Sequence, residues 1–161
     1  MENAKEKEMT EYGENLLTFR RMQPDDIPAV AGIERETFSL PWSENAFLDT
    51  LSLQDAYFIV ALLDGEIAGY CGYYRSFEEA EITNVAVRSD LRGKGIGSSM
   101  IRKLADESGR QGIARLILEV RKSNLAAIRV YEKNGFRIAG YRRNFYEQPR
   151  EDAAVMVMEN G

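Results

Sequence analysis

Two stretches hold residues whose types and spacing suit chemistry. The first is "RSDLRGKGIGSSMIRKL", residues 88–104, where Gly93, Gly95 and Gly97 alternate with Lys94 and Ile96 ahead of a helical pattern. Glycine-rich turns that open helices offer backbone N–H groups and the positive end of the helix dipole to anions, phosphate above all. Arg92 and Lys94 add charge of matching sign. The second is "LILEV", residues 116–120, in which Glu119 interrupts an apolar strand. A carboxylate in such a strand is costly unless it is paired or faces a cleft. On sequence alone Glu119 is either a general base or half of an ion pair with Arg115 or Arg121, and the two readings stand level.

The chain has no histidine. That removes the commonest general base, any histidine-dependent triad and the usual zinc sites. Acid–base work falls to carboxylates, tyrosine, lysine, the single cysteine or water. Cys71, between Tyr70 and Gly72 and with no histidine to activate it, reads as inert. Tyr131 continues the Ala127/Val130 face of its helix, and by spacing it is a tyrosine at the edge of the core.

Three phosphate-binding patterns compete for the glycine loop. A nucleoside-triphosphate loop needs Gly-Lys-Ser/Thr, which is absent. The dinucleotide pattern nearly fits as Gly93-x-Gly95-x-x-Ser98, with Glu119 at about the ribose spacing, but a hairpin precedes it where parallel strands belong. The third pattern, Arg92-x-x-Gly95-x-Gly97, suits a pyrophosphate cradled by backbone amides at a helix start. A plain glycine-rich turn is the bland alternative.

The elements that must position these residues follow from patterning. Residues 16–21 predict a strand; residues 24–38 a helix starting at Pro24, with Ile27, Val30, Ala31, Glu34 and Phe38 near one face. Ser43 suits the N-cap of a second helix reaching about Leu53. "AYFIVALL", a Asp64–Gly65 turn and "EIAGYCGYYRSF" predict a hairpin, and "AEITNVAVR" a further strand. The glycine loop opens a helix with Gly97, Met100, Ile101, Leu104, Ala105 and Ser108 on one face. "ARLILEVR" reads as a central strand with nearly continuous apolar character. Ser123 is placed as the cap of the helix at 124–133, and Asn134–Gly135 ends it. Two strands, "FRIAGYRRNFY" and "AAVMVMEN", close the chain around a polar loop at 147–152. The order β-α-α-β-β-β-α-β-α-β-β implies one α/β domain: a mixed sheet of about seven strands with four helices.

Composition sets the outer bounds. The chain has 161 residues, 44% hydrophobic and 29% charged, which fits one soluble domain with one sizeable core. Five acids and two bases fall in residues 1–14, so most of the net charge of −5 sits there. That segment is expected to be a mobile, solvated extension or a short helix, with the domain proper at 15–161. The sign of the charge, and the lack of a basic stripe interleaved with aromatics, predict no nucleic-acid partner. No apolar run approaches a membrane span, the N-terminus has no apolar signal region, and one cysteine suits a reducing compartment, so a cytoplasmic location is expected.

"ITNVAVRSDLRGKGIGSSMI", "LILEVRKSNLAAIRVYEKNGF" and "YRRNFY…REDAAVMVM" together resemble the GNAT N-acetyltransferase superfamily, and "LEVRKSN", "RRNFY…REDA" and "FSLPWSE" its bacterial ribosomal-protein alanine N-acetyltransferase branch. The likeness runs from about Leu17 to Met158. It implies a GNAT-like acyl-CoA N-acyltransferase fold, acetyl-CoA as co-substrate and no metal. It further implies that Arg92, Gly93, Lys94, Gly95, Ile96, Gly97 and Ser98 hold the CoA phosphates. Val85, Ala86 and Val87 would offer backbone groups to the pantetheine amides, and Asn124 would hydrogen-bond that arm. Glu119 becomes the base for the attacking amine, and Tyr131 an acid for, or a hydrogen-bond donor to, the CoA sulfur. The loops at Leu40–Trp42 and about Phe145–Asp152 would wall the acceptor groove. Pro41, Trp42 and Tyr146 are then candidate acceptor contacts, with local packing as the alternative for Trp42 and Tyr146. The implied acceptor is a protein N-terminal amine, typically an alanine of a small-subunit ribosomal protein, attacked in a ternary complex. A small amine as acceptor, or a non-catalytic acyl-CoA-binding module, are the competing functions.

Overall fold

A computed structural model describes Thr10–Tyr12 and residues 15–161. The elements run β1 (Thr10–Tyr12), β2 (Asn15–Arg21), a 3-10 turn at Pro24–Asp26, α1 (Ile27–Thr37), α2 (Glu44–Leu51), β3 (Ala56–Leu63), β4 (Glu66–Ser76), β5 (Glu79–Val87), a 3-10 turn at Ser89–Leu91, α3 (Ile96–Arg110), β6 (Arg115–Arg121), α4 (Leu125–Lys133), β7 (Arg137–Glu147) and β8 (Arg150–Glu159). The seven strands and four helices expected from patterning are present, and three residues of the N-terminal segment add the short β1 beside β2. The rest of that segment lies outside the described residues.

One sheet of order β1-β2-β3-β4-β5-β6-β8-β7 forms the middle layer. All neighbours are antiparallel except β5 and β6, whose link through α3 is a crossover. On one face α3 buries Ile96, Met100, Ile101 and Leu104 against Ile59, Cys71, Tyr73, Ile82, Leu116 and Leu118. On the other, α1 and α2 bury Val30, Ala31, Ile33 and Phe47 against Phe58, Val60, Tyr70 and Ala86. Each of the Val, Ile, Leu, Met and Phe side chains among them contributes about 1.5–3 kcal/mol by leaving water. Consecutive residues of β3 face opposite layers, which is why "AYFIVALL" is apolar throughout.

Three expectations are corrected. β6 is interior but not covered on both faces: Leu116, Leu118 and Val120 are buried, while Arg115, Ile117, Glu119 and Arg121 alternate with them on a more open face. α1 and α2 pack chiefly on β3, β4 and β5. The polar loop at 147–152 is a tight hairpin instead, with only Gln148 and Pro149 between β7 and β8. Arg121 holds it, donating to Gln148 O at 3.0 Å and Pro149 O at 2.9 Å and pairing with Glu151 at 3.3 Å. The cap of α4 is Asn124, not Ser123: Asn124 Oδ1 accepts from Ala127 N–H at 3.2 Å, while Ser123 N–H donates to Glu151 at 2.7 Å.

Packing across the sheet is tight at Gly72, where any Cβ would overlap the Phe58 ring on the neighbouring strand. Gly72→Ala should therefore lower unfolding stability by about 1–3 kcal/mol. Gly32, inside α1, has only the end of the Arg35 side chain within 4 Å of a Cβ, at 3.8 Å. Gly32→Ala should raise stability by about 0.5–1 kcal/mol. Urea midpoints of the two variants, moving in opposite directions at constant slope, check both.

Candidate active site

The parallel pairing of β5 and β6 is short. It joins Glu79–Ile82 to Arg115–Leu118 and stops there, although β5 continues to Val87 and β6 to Arg121. A bulge accounts for the parting. In the β4–β5 pair Gly72 opposes Asn84 and Tyr73 opposes Ile82, so Thr83 is an extra residue. Such an insertion bends and twists its strand. Beyond it β5 stays with β4, while β6 stays with β8 through Arg121. A cleft opens between the two strand ends.

The predicted site residues gather around this cleft. Val85, Ala86 and Val87 lie on the unpaired stretch of β5. The exposed loop Arg92–Gly95 follows, and α3 starts at its end with Gly95 as N-cap. Gly93 and Gly95 have φ of 78° and 87°, which an L side chain rarely adopts; Gly93 has no atom within 4 Å of a Cβ, so its requirement is conformational. Ile96 is buried in the core, so its part in the loop is to anchor it. Ser98 Oγ accepts from Asn134 Nδ2 at 2.9 Å, tying the start of α3 to the end of α4. Asn124 stands where α4 leaves the tip of β6.

Not every predicted side chain points to a free role. Arg92 donates to Val87 O at 3.0 Å and to Thr37 Oγ1 at 2.8 Å, so its guanidinium braces the loop against α1. Lys94 is exposed. Trp42 is half-buried on Phe47 and Phe58, with ring centroids at 5.2 and 6.1 Å, while Pro41 beside it is exposed. Tyr146 lies under Arg121, whose Cζ is 4.3 Å from the ring centroid. A cavity of about 580 Å³, lined among others by Phe77, Glu79 and Arg115, lies at the opposite ends of β5 and β6 and holds none of these residues.

Glu119 has its side chain 9% exposed. Neither expected ion-pair partner meets it: Arg115 pairs with Glu79 at 3.0 Å and Arg121 with Glu151. Its cation is Arg142 of β7, at 3.4 Å. Burial, a hydrogen bond donated by the protonated Glu119 to Glu81 and that neighbour's charge push the Glu119 carboxyl up to about 7, against the opposing pull of Arg142. Glu81 reaches it because β5 and β6 are in register at Glu81 and Ile117, two residues short of Glu119 on the same face. Only the parallel register reveals this pairing, since Glu81 and Glu119 are far apart along the chain.

Tyr131 is half-buried, edge-on to Phe136 at 5.8 Å. Burial raises its phenol well above the ordinary range, with Cys71 and Tyr146 adding, so it stays a neutral donor. Burial likewise pushes Tyr146 up to about 12, offset by Arg121 and reinforced by Glu119 and Glu151. Cys71 is fully buried, and burial raises its thiol far above neutrality, so it does not supply a thiolate. The cleft thus combines a carboxyl that titrates near neutrality, a protonated phenol and a helix-opening glycine loop. Those parts suffice to remove a proton from one group and deliver one to another.

Residues 27–136 match the Acetyltransferase (GNAT) family. The ribosomal protein bS18-alanine N-acetyltransferase of Escherichia coli K12 is 36% identical over 145 residues, covering 89% of this chain and 97% of that protein. The crystal structure of the ribosomal-protein-S18-alanine N-acetyltransferase from Escherichia coli superimposes with a TM-score of 0.82 at 34% identity, covering 89% and 93% of the two chains. The Ard1 structure from Thermoplasma volcanium does so with a TM-score of 0.82 at 28% identity, covering 90% and 98%.

The Glu119 environment has a measurable signature. Carboxyl-carbon NMR should show Glu119 titrating near pH 7, lower in Glu81→Gln and higher in Arg142→Met. Because the folded-state value is raised, its contribution to stability is full below the unfolded value of 4.5 and is lost as pH rises through about 7. Glu119→Gln should flatten that slope in urea titrations run from pH 4 to 8.

Proposed function

Because the chain belongs to the Acetyltransferase (GNAT) family, we propose that it transfers an acetyl group from acetyl-CoA to the N-terminal α-amine of a protein, an alanine-initiated small-subunit ribosomal protein in particular. The observation that carries the mechanism is the Glu119 carboxyl, nearly buried in the cleft and held near neutrality. The acceptor class rests on the likeness to the Escherichia coli enzyme named for it. An acceptor of that class supports a cytoplasmic location for the protein.

An α-amine with a pKa near 7.7–8.0 is largely protonated at pH 7 and must shed a proton to attack. Glu119, deprotonated as the pH passes about 7, takes that proton directly or through water. The amine nitrogen bonds to the acyl carbon, the carbon–sulfur bond breaks, the departing thiolate takes a proton from Tyr131, and the second proton that the nitrogen sheds as the amide forms returns to Tyr131 through water, restoring its neutral phenol. Transfer is direct, a reading that the burial of the one thiol supports. The backbone of Val85–Val87 and Asn124 receive the pantetheine arm. The Arg92–Ser98 loop and the α3 N-terminus receive the phosphates, with the exposed Lys94 as counter-charge. Pro41, Trp42 and Tyr146 border the acceptor side.

CoA release from acetyl-CoA should be measured with lysine-free peptides beginning Ala, Ser or Met, each free and N-blocked. Turnover is expected on the free alanine peptide and absent once it is blocked. Glu119→Gln should lower kcat by roughly 10²–10⁴-fold and Tyr131→Phe by about 10²-fold. Turnover on small amines alone would remove the protein acceptor, and an isolable acetyl-enzyme would remove direct transfer.

A further inference from the structure

Glu34 is a charged residue in the wrong place for a purely structural helix. It lies on α1, 2% exposed, beneath the cleft. Three neutral groups from three separate segments donate to its carboxylate. The Tyr70 hydroxyl of β4 and Asn84 Nδ2 of β5, the latter at 3.3 Å, share Oε1. The backbone N–H of Trp42 donates to Oε2 at 2.9 Å. The other buried acid, Asp26, has a cation, Arg20, at 2.7 Å; Glu34 has no ion pair among the described residues. A buried carboxylate without a cation is expensive, and a glutamine or an apolar side chain would fill the space at lower cost. A second cost sits beside it: Asn84 Oδ1 is buried with no hydrogen-bond partner among the described residues. Costs of this kind are kept where they position something.

What they position is visible in the partners. Asn84 adjoins Thr83, the bulge residue at which β5 leaves β6. Trp42 ends the Leu40–Trp42 loop, and Ser39 of the same segment donates to Gln148 O, at 2.7 Å, on the turn that Arg121 also holds. One carboxylate therefore touches both the strand that borders the donor side and the loop that borders the acceptor side.

We propose that Glu34 is a positioning residue for the acceptor: it sets the Leu40–Trp42 wall in register with β5, and so fixes where the acceptor chain lies relative to the acyl carbon. The assignment rests on the acetyl-transfer reading of the cleft. Glu34 touches neither reactant; it acts through the Trp42 backbone.

Glu34→Gln keeps the volume and removes the charge. The KM for the free alanine-initiated peptide should rise on the order of ten-fold, as loss of a charge-assisted hydrogen bond implies. The KM for acetyl-CoA should stay within roughly two-fold, since Glu34 touches no part of the donor side except through Asn84. Trp42 is the one tryptophan in the chain, so its fluorescence reports on the wall directly, and acrylamide quenching should increase in the variant. Tyr70→Phe, which removes one donor and no charge, should move the same two readings in the same direction by less. An acceptor KM and quenching both unchanged would overturn the proposal, as would an equal rise in both KM values, which signals general loosening. In the unaltered protein the Trp42 amide should exchange with deuterium far more slowly than that of Leu40; equal rates would also overturn it. Absence of turnover on every peptide would fail the acetyl-transfer reading alone, since quenching and exchange still decide the link between Glu34 and the wall.

Discussion

The whole site depends on one interruption of a hydrogen-bond ladder. Among the described residues β5 and β6 are the sole parallel neighbours in the sheet, and their ladder ends at Ile82 and Leu118, where the bulge at Thr83 turns β5 away. Had the ladder continued to Val87, the backbone of Val85–Val87 would be spent on β6, and Glu119 would stand among neighbouring strands with no cleft beside it. The bulge also flips the alternation of side chains. Ile82 faces α3, while Asn84 and Ala86, on the other side of the extra residue, face α1. One inserted residue thus opens the cleft and delivers Asn84 to Glu34.

Two carboxylates, Glu119 and Glu34, are held out of water by opposite means. Glu119 meets a second acid and a cation at the mouth of the cleft, and these opposed influences leave it near neutrality. A group so balanced changes charge readily, which suits proton transfer. Glu34 is surrounded by fixed donors from a phenol, an amide and a backbone N–H. Donors fixed on three separate segments hold the side chain in one place, which suits positioning. The contrast is set by their neighbours, since both side chains are glutamates on regular elements.

Arg121 plays the corresponding part on the far wall. Its guanidinium meets Gln148 O, Pro149 O, Glu151 and the face of Tyr146. The planar, multidentate donor geometry of arginine makes this possible where lysine would not. Because Arg121 lies two residues beyond Glu119 on β6, the strand that carries the carboxyl also carries the brace of the turn opposite. The two walls then meet at the hydrogen bond from Ser39 to Gln148 O.

Much of this was legible in the sequence, and the limit of legibility has a physical cause. Alternation and helical spacing determined the element order, and Gly93 and Gly95 announced a turn of positive φ before α3, because these are properties of neighbours along the chain. The isolated acid in "LILEV" marked Glu119, since a strand so apolar has little reason to hold one. What the sequence left open were partners far apart along it. Arg142 rather than Arg115 or Arg121 meets Glu119, because β8 carries β7 across the sheet. Glu81 meets Glu119 through a parallel register 36 residues apart, and Glu34 reads as one more position on an amphipathic helix until Tyr70 and Asn84 are brought beneath it. Local pattern determined which elements form and which residue types they offer. Only the tertiary structure decided which charges are buried together, because burial and pairing depend on which strands become neighbours and in what register.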